Sequence, residues 1–284
     1  MKLVFFGSAD FSVYVLEELK QHNILPELII TTPDKPKGRK LVLTPTPAKI
    51  WAQNYNIEVI DPPSLKKDNA DLIYKLKTDN YELFLVASYG KIIPKEIFEI
   101  PKKKTLNIHP SLLPKYRGAS PIQGQILNDE KEIGVTIMQI EETMDTGPII
   151  VQKKIPVDEV FGRKELEKIL AVEGARLFAH VLPEWLMGAV DPIMQNEEQA
   201  TYCKKIEKED GQIEIDFDDF GKNARQNFLK IKAFEDWPTA YFFHDGKRVI
   251  ITEATIENGK LKIISVLPEG KRVMSFEDFG RGLK

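Results

Sequence analysis

The chain has 284 residues, 42% of them hydrophobic and 29% charged, with a net charge of −3 and one cysteine. That length suits one large domain plus a smaller one, and the composition is that of an ordinary globular protein. Cys203 alone excludes an internal disulfide framework, and the four scattered histidines form no metal-ligand cluster with it. No apolar run approaches the roughly 20 residues that a membrane span needs. The weakly acidic balance gives no global attraction for nucleic acid, so any RNA contact has to come from local patches of charge.

The opening M-K-L-V-F-F-G-S-A-D has an apolar run too short for a signal peptide, so residues 2–6 read as a first strand and the protein is expected in the cytoplasm. A Gly7-Ser8-Ala9-Asp10 turn and helical spacing at Val13, Leu16 and Leu19 make the start strand, turn, helix. The turn lacks G-x-G-x-x-G, whose glycines let backbone approach a pyrophosphate, so a dinucleotide is not expected. A short strand at 28–32 leads into P-D-K-P-K-G-R-K-L-V-L-T-P-T-P, which has no helical period and reads as a loop. Lys35, Lys37, Arg39 and Lys40 crowd it with charge suited to phosphates, and its scarce apolar surface predicts mobility until an anionic partner orders it.

Thr46 and Pro47 start a helix running to about residue 55, followed by a strand at 57–60, a helix at 70–77, and an apolar run at 83–87 of the kind buried on both faces. Strands alternating with helices predict a Rossmann-like, mostly parallel sheet covered on both sides. Asn107 and His109 then stand two apart at the end of another strand, so both side chains leave one face. Pro110 ends the ladder, which places the pair at the carboxyl edge where open α/β sheets put their ligands. The polar-tipped loop after it closes at Ser120 and Pro121, an N-cap and first helical position.

Strands at 133–140 and 149–154 flank a turn containing Asp145, which by itself reads equally as a structural cap or a site residue. An amphipathic pattern spans 163–187, with a break or kink expected at Pro183 and with Trp185 and Leu186 in the core. Periodicity disappears over 191–199. Beyond it come a helix at 220–233 and strands joined at His244-Asp245-Gly246 and Glu257-Asn258-Gly259, both hairpin signals, which predict a small OB-like β-barrel. The expected division is a Rossmann-like domain at 1–190, a linker at 191–203 and a barrel domain at 204–284.

The run N-I-H-P-S-L-L-P-x-Y-R-G-x-x-P from Asn107 to Pro121, with M-D-T-G-P from Met144 to Pro148, resembles the signature of the 10-formyltetrahydrofolate-dependent formyltransferases. T-Y-x-x-K-I-x-K-E-D-G, A-F-x-x-W-P-x-A-Y-F and L-P-E-G-K-x-x-M-S extend the resemblance over nearly the whole chain, toward members whose acceptor is methionyl-initiator tRNA. The resemblance implies catalysis by Asn107, His109 and Asp145, with Asn107 donating to the oxyanion of a tetrahedral adduct and Asp145 orienting His109. It implies folate contacts from Ser88, Tyr89 and Gly90 and from Ser111, Leu112, Leu113 and Pro114. It matches Gly38, Arg39, Pro45 and Pro47 to a loop that reaches the tRNA acceptor end, and implies tRNA contacts for the barrel. A monomer without a metal ion is expected. Cys203-Lys204 stands where the family has Ala-Pro, and Glu235-Asp236 where it has Asn-Pro. Formyl transfer to a sugar nucleotide or to glycinamide ribonucleotide, and a non-catalytic RNA-binding relative, remain as alternatives.

Overall fold

The computed structural model describes residues 1–38, 41–67 and 69–281; Arg39 and Lys40, two of the basic positions above, lie outside the described residues. In chain order the elements are β1 (Leu3–Phe6), α1 (Asp10–Gln21), β2 (Leu28–Ile30), β3 (Lys35–Lys37), β4 (Val42–Thr44), α2 (Pro47–Asn54), β5 (Glu58–Ile60), α3 (Ala70–Thr78), β6 (Leu83–Val86), α4 (Lys95–Phe98), β7 (Thr105–His109), β8 (Arg117–Gly118), α5 (Pro121–Leu127), β9 (Glu132–Gln139) and β10 (Ile149–Pro156). They continue with α6 (Arg163–Met187), β11 (Tyr202–Cys203), α7 (Ala224–Ala233), β12 (Tyr241–His244), β13 (Lys247–Glu257), β14 (Lys260–Pro268), β15 (Met274–Ser275) and α8 (Phe276–Arg281). Among the described residues no helix is long and apolar enough to cross a membrane. Two compact units emerge, one of residues 1–117, 134–155 and 167–201, the other of 118–133, 156–166 and 202–284, so two excursions from the first half join the second unit.

The first unit is built on a seven-stranded sheet in the order β10-β9-β7-β6-β1-β2-β5. β1 and β6, L-V-F-F and L-F-L-V, are buried at every position because helices cover both faces, which is why the sequence shows unbroken apolar runs there. β2, β5, β6 and β7 run parallel, whereas β7 meets β9 antiparallel with His109 opposite Thr136. From β1 the chain travels outward through β2 to β5 and then returns to the other side at β6. The carboxyl ends of β1 and β6 therefore bound the switch-point crevice of a doubly wound sheet.

Two expectations are corrected. The basic stretch is a paired hairpin, with Lys35 opposite Thr44 and Lys37 opposite Val42, where a loop was predicted. A two-stranded ladder consists only of edges, where Pro36 is tolerated, and Lys49 fixes the root by bridging Asp34 at 2.8 Å and Asp61 at 2.7 Å. Helix α6 is also unbroken: it runs through Pro183 to Met187. Its last turns are held by tertiary contacts, with Val181 and Leu182 buried and the Trp185 indole donating to the Lys103 carbonyl at 2.8 Å. Midway along α6, a Cβ on Gly174 would lie 2.5 Å from Ile108 Cγ2 and 2.9 Å from Val135 Cγ2, so the helix lies directly against β7 and β9.

The second unit is the small antiparallel β domain expected at the carboxyl end, with sheet order β12-β13-β14-β15. Both predicted hairpin turns form: Asp245 and Gly246, and Asn258 and Gly259, all take positive φ, the pairing that two-residue hairpins favour. A bulge near Glu253 bends the long strand β13, and Phe242, Val249, Ile251, Leu261 and Val266 close the core with Ala224 and Ile231 of α7. Arg225 of α7 grips Asp129, just after α5, through two hydrogen bonds of 2.9 and 2.5 Å.

Gly174→Val should cost about 1–3 kcal/mol by forcing α6 off the sheet, read as a lowered denaturant midpoint; an unchanged midpoint would contradict the close approach. The Arg225 guanidinium, with Lys131, holds the Asp129 carboxyl below its ordinary range. A depressed carboxylate adds stability above its unfolded-state pKa and loses it as pH falls through the folded one. Arg225→Ala should therefore cost about 1 kcal/mol or less at neutral pH, because the pair is partly exposed, and the gap should narrow in denaturant titrations as pH falls through and below the ordinary carboxylate range.

Candidate active site

Alternation along β7 sends Thr105, Asn107 and His109 to one face. Thr105 is consumed locally, its hydroxyl donating to the Phe98 carbonyl at 2.7 Å. Asn107 is half-buried, and among the described residues its carboxamide has no hydrogen-bond partner. His109 is buried, with Nε2 3.1 Å from the Tyr116 carbonyl oxygen and Nδ1 3.7 Å from Asp145 Oδ1. A carbonyl only accepts, so Nε2 carries a proton and the ring is fixed with its Nδ1 edge toward the carboxylate. The structure thus brings His109 and Asp145 together, and β7 adds Asn107 on the same face.

Asp145 reaches this position from a turn in left-handed conformation, φ 57°, pinned by its neighbour. A Cβ on Gly147 would lie 2.0 Å from the Gln139 carbonyl oxygen, so the turn sits directly on the end of β9. Gln139 N in turn donates to Pro148 O at 2.9 Å.

The loop after His109 is tied from inside. Ser111 is fully buried, and its hydroxyl donates to Lys115 O at 2.7 Å. Thr136 Oγ1 donates to Ser111 O at 2.6 Å and accepts from Leu113 N at 3.1 Å. Gln152 Nε2 donates to Leu113 O at 2.7 Å and to Thr136 Oγ1 at 2.8 Å. Leu112 lies over Gly134, where a Cβ would meet its Cδ2 at 2.5 Å. Among the four expected folate contacts in this loop, the side chains of Ser111 and Leu113 thus face inward, while Leu112 and Pro114 keep solvent-accessible surface.

The Ser88-Tyr89-Gly90 loop follows β6 at the switch point. Positive φ at Ser88 and Gly90 turns Tyr89 into the core, its ring edge-on to Phe6 at 5.6 Å, and burial pushes its phenol well above the ordinary range. Ser88 and Gly90 remain exposed, and the Tyr89 carbonyl accepts from the Ser8 hydroxyl at 3.3 Å. Lys35 and Lys37 are exposed on the β3–β4 hairpin. Among the described residues no group of His, Cys, Asp and Glu has the geometry of a metal site.

Thr136 and Gln152 were not foreseen. Thr136 left a trace, a hydroxyl inside the apolar run I-G-V-T-I-M that strand burial requires to be satisfied. Gln152 left none, because it looks like any outward polar residue of an alternating strand.

A family model described as formyl transferase matches residues 1–182, and one described as formyl transferase, C-terminal domain, matches residues 205–262. The methionyl-tRNA formyltransferase of Thermodesulfovibrio yellowstonii is 37% identical over 303 residues, covering 99% of this chain and 96% of that protein. The methionyl-tRNA formyltransferase of a Sulfurihydrogenibium species is 40% identical, covering 90% of this chain and 80% of its own. Among solved structures, the methionyl-tRNA formyltransferase from Clostridium thermocellum aligns with a TM-score of 0.61 at 20% identity over 94% of this chain and 98% of its own. An N-formyltransferase from Helicobacter canadensis, in complex with folinic acid and dTDP-3-aminofucose, aligns with a TM-score of 0.65 at 24% identity over 91% and 88%. These structural matches speak for the fold alone, whereas the full-length sequence matches and the two family models, joined to a β7 that carries Asn107 and His109 toward Asp145, place this chain in the formyl transferase family.

Proposed function

We propose that this protein transfers the formyl group of 10-formyltetrahydrofolate to the amino group of methionyl-initiator tRNA, in the cytoplasm, for translation initiation. The observation that carries this reading is the His109 ring held between the Tyr116 carbonyl and Asp145, on the same strand face as an Asn107 carboxamide that has no hydrogen-bond partner among the described residues. The amine nitrogen attacks the formyl carbon, and the carbonyl oxygen gains negative charge in a tetrahedral adduct. Asn107 Nδ2 is the donor suited to that oxygen. With Nε2 committed to Tyr116, the Nδ1 edge of His109 remains for moving the proton lost by the amine, and the Asp145 carboxylate offsets the charge that builds there. Collapse of the adduct breaks the bond to the folate nitrogen, which takes up a proton as it leaves. Ser88, Gly90, Leu112 and Pro114 offer backbone and apolar surface to the folate, while Tyr89, Ser111 and Leu113 support it from behind through the backbone they fix.

The tRNA acceptor is favoured by relatives named methionyl-tRNA formyltransferases that are 34–40% identical to this chain. The exposed lysines of the β3–β4 hairpin, with Arg39 and Lys40, have the charge to meet its phosphates. The direct test is incubation with 10-formyltetrahydrofolate and a panel of amines: charged initiator tRNA, a sugar-nucleotide amine and glycinamide ribonucleotide. Formylation of the tRNA alone is expected, and turnover of only a small amine would overturn the reading.

Replacing Asn107, His109 or Asp145 by Ala should lower turnover about a hundredfold or more with the fold kept, and a His109→Ala enzyme of normal rate would remove the mechanism. Lys37→Ala should weaken tRNA use and lower the slope of log affinity against log salt by about 0.7 to 0.9, leaving folate KM unchanged. An unchanged slope would take this lysine out of the tRNA interface.

A further inference from the structure

The segment after α6 was expected to be a linker, yet residues 193–201 are stitched into the first unit. Ile193 and Ile149 exchange backbone hydrogen bonds of 2.8 Å, which brings the segment alongside the Asp145 turn. Gln195 is buried and spends its whole carboxamide there: Nε2 donates to the Asp145 carbonyl at 2.8 Å and to the Gly147 carbonyl at 2.7 Å. Its Oε1 accepts from Arg117 Nε at 3.0 Å and Nη2 at 2.8 Å. Two carbonyls on one side and a guanidinium on the other permit only this orientation of the amide. Arg117, with no exposed surface, is held in place by Glu197 through bonds of 2.8 and 2.7 Å. At the end of the segment, Thr201 accepts from Tyr116 N at 2.8 Å through Oγ1 and from Arg117 N at 2.9 Å through its carbonyl, and donates to Pro114 O at 3.2 Å.

The segment therefore grips both loops that face the His109 ring: the Asp145 turn through Gln195, and the Tyr116 peptide through Thr201. Tyr116 and Asp145 both occupy left-handed backbone, φ 62° and 57°, a region that residues with a Cβ seldom populate unless their surroundings dictate it. We infer that residues 193–201 form a strap in which Gln195 and Thr201 are positioning residues for the transfer reaction, setting the Asp145 carboxylate and the Tyr116 carbonyl against the two nitrogens of His109. The inference rests on the reading of His109 and Asp145 as the proton-handling pair.

The test begins with Gln195→Glu, which keeps the shape and the acceptor for Arg117 but turns an oxygen toward the two carbonyls. Turnover should fall tenfold to a hundredfold while KM for folate and for acceptor stays within twofold and the melting temperature is kept. Placed on Asp145→Ala, the same change should cost less than a further twofold, because the carboxylate it positions is gone. Thr201→Val removes the hydroxyl that accepts from Tyr116 N while keeping the backbone bonds to Arg117 and Pro114, and should lower turnover several-fold, with Thr201→Ser restoring it. Should Gln195→Glu fail to fold, the Thr201 pair alone decides. Full turnover in Gln195→Glu or in Thr201→Val, or losses that multiply in the Asp145→Ala double variant, would overturn the strap. Full activity of Asp145→Ala itself would instead overturn the reading of the reaction beneath it.

Discussion

An imidazole with an acceptor at each ring nitrogen is the constraint on which the first unit depends. His109 meets on one side the carbonyl of Tyr116, from the loop directly after its own strand, and on the other Asp145, from a turn beyond the next strand. They converge beside β7, where the sheet changes from parallel to antiparallel pairing. β6 runs parallel to β7 and β9 antiparallel, so β9 ends beside the amino end of β7, with Gln139 opposite Leu106, and the turn that follows folds back to bring Asp145 Oδ1 within 3.7 Å of His109 Nδ1. The close helix packing at Gly174 and the inward lacing of the Ser111–Pro114 loop by Thr136 and Gln152 keep that edge from shifting.

Much of this was legible in the sequence because it follows from local rules. The apolar runs of β1 and β6, the placement of Asn107 and His109 ahead of Pro110, and the Asp-Gly and Asn-Gly hairpins each express a propensity that tertiary structure did not override. What escaped was decided at a distance. The β3–β4 hairpin reads as a Pro- and Lys-rich loop until Lys49, from α2, is seen to anchor Asp34. Pro183 reads as a helix end until Trp185 is seen to bond Lys103. Gln195 and Thr201 sit in a polar, aperiodic stretch, and nothing in that stretch betrays that Arg117 and Tyr116, their partners, lie 78 and 85 positions upstream. Tyr89 is the converse case. The family resemblance implies a folate contact there, and the ring itself lies in the core, turned inward by the positive φ of Ser88.

Division of labour follows from this arrangement. The atoms that face a formyl carbon and an amine are few and belong to the edge of one sheet, so they say little about how large the acceptor is. In the proposed function, selection of a macromolecular acceptor is assigned to features outside that edge: the exposed, charged hairpin rooted by Lys49 and the small β domain at the carboxyl end. Because the second unit draws in residues 118–133 and 156–166, a cut near residue 191 would remove most of a core rather than a detachable appendage.

The most direct test of the account is the tautomer of His109, read from long-range proton–nitrogen correlations of the imidazole in the folded protein. The geometry calls for a proton on Nε2, donated to the Tyr116 carbonyl. A neutral ring with its proton on Nδ1 alone would contradict the arrangement from which the mechanism and the strap are both argued.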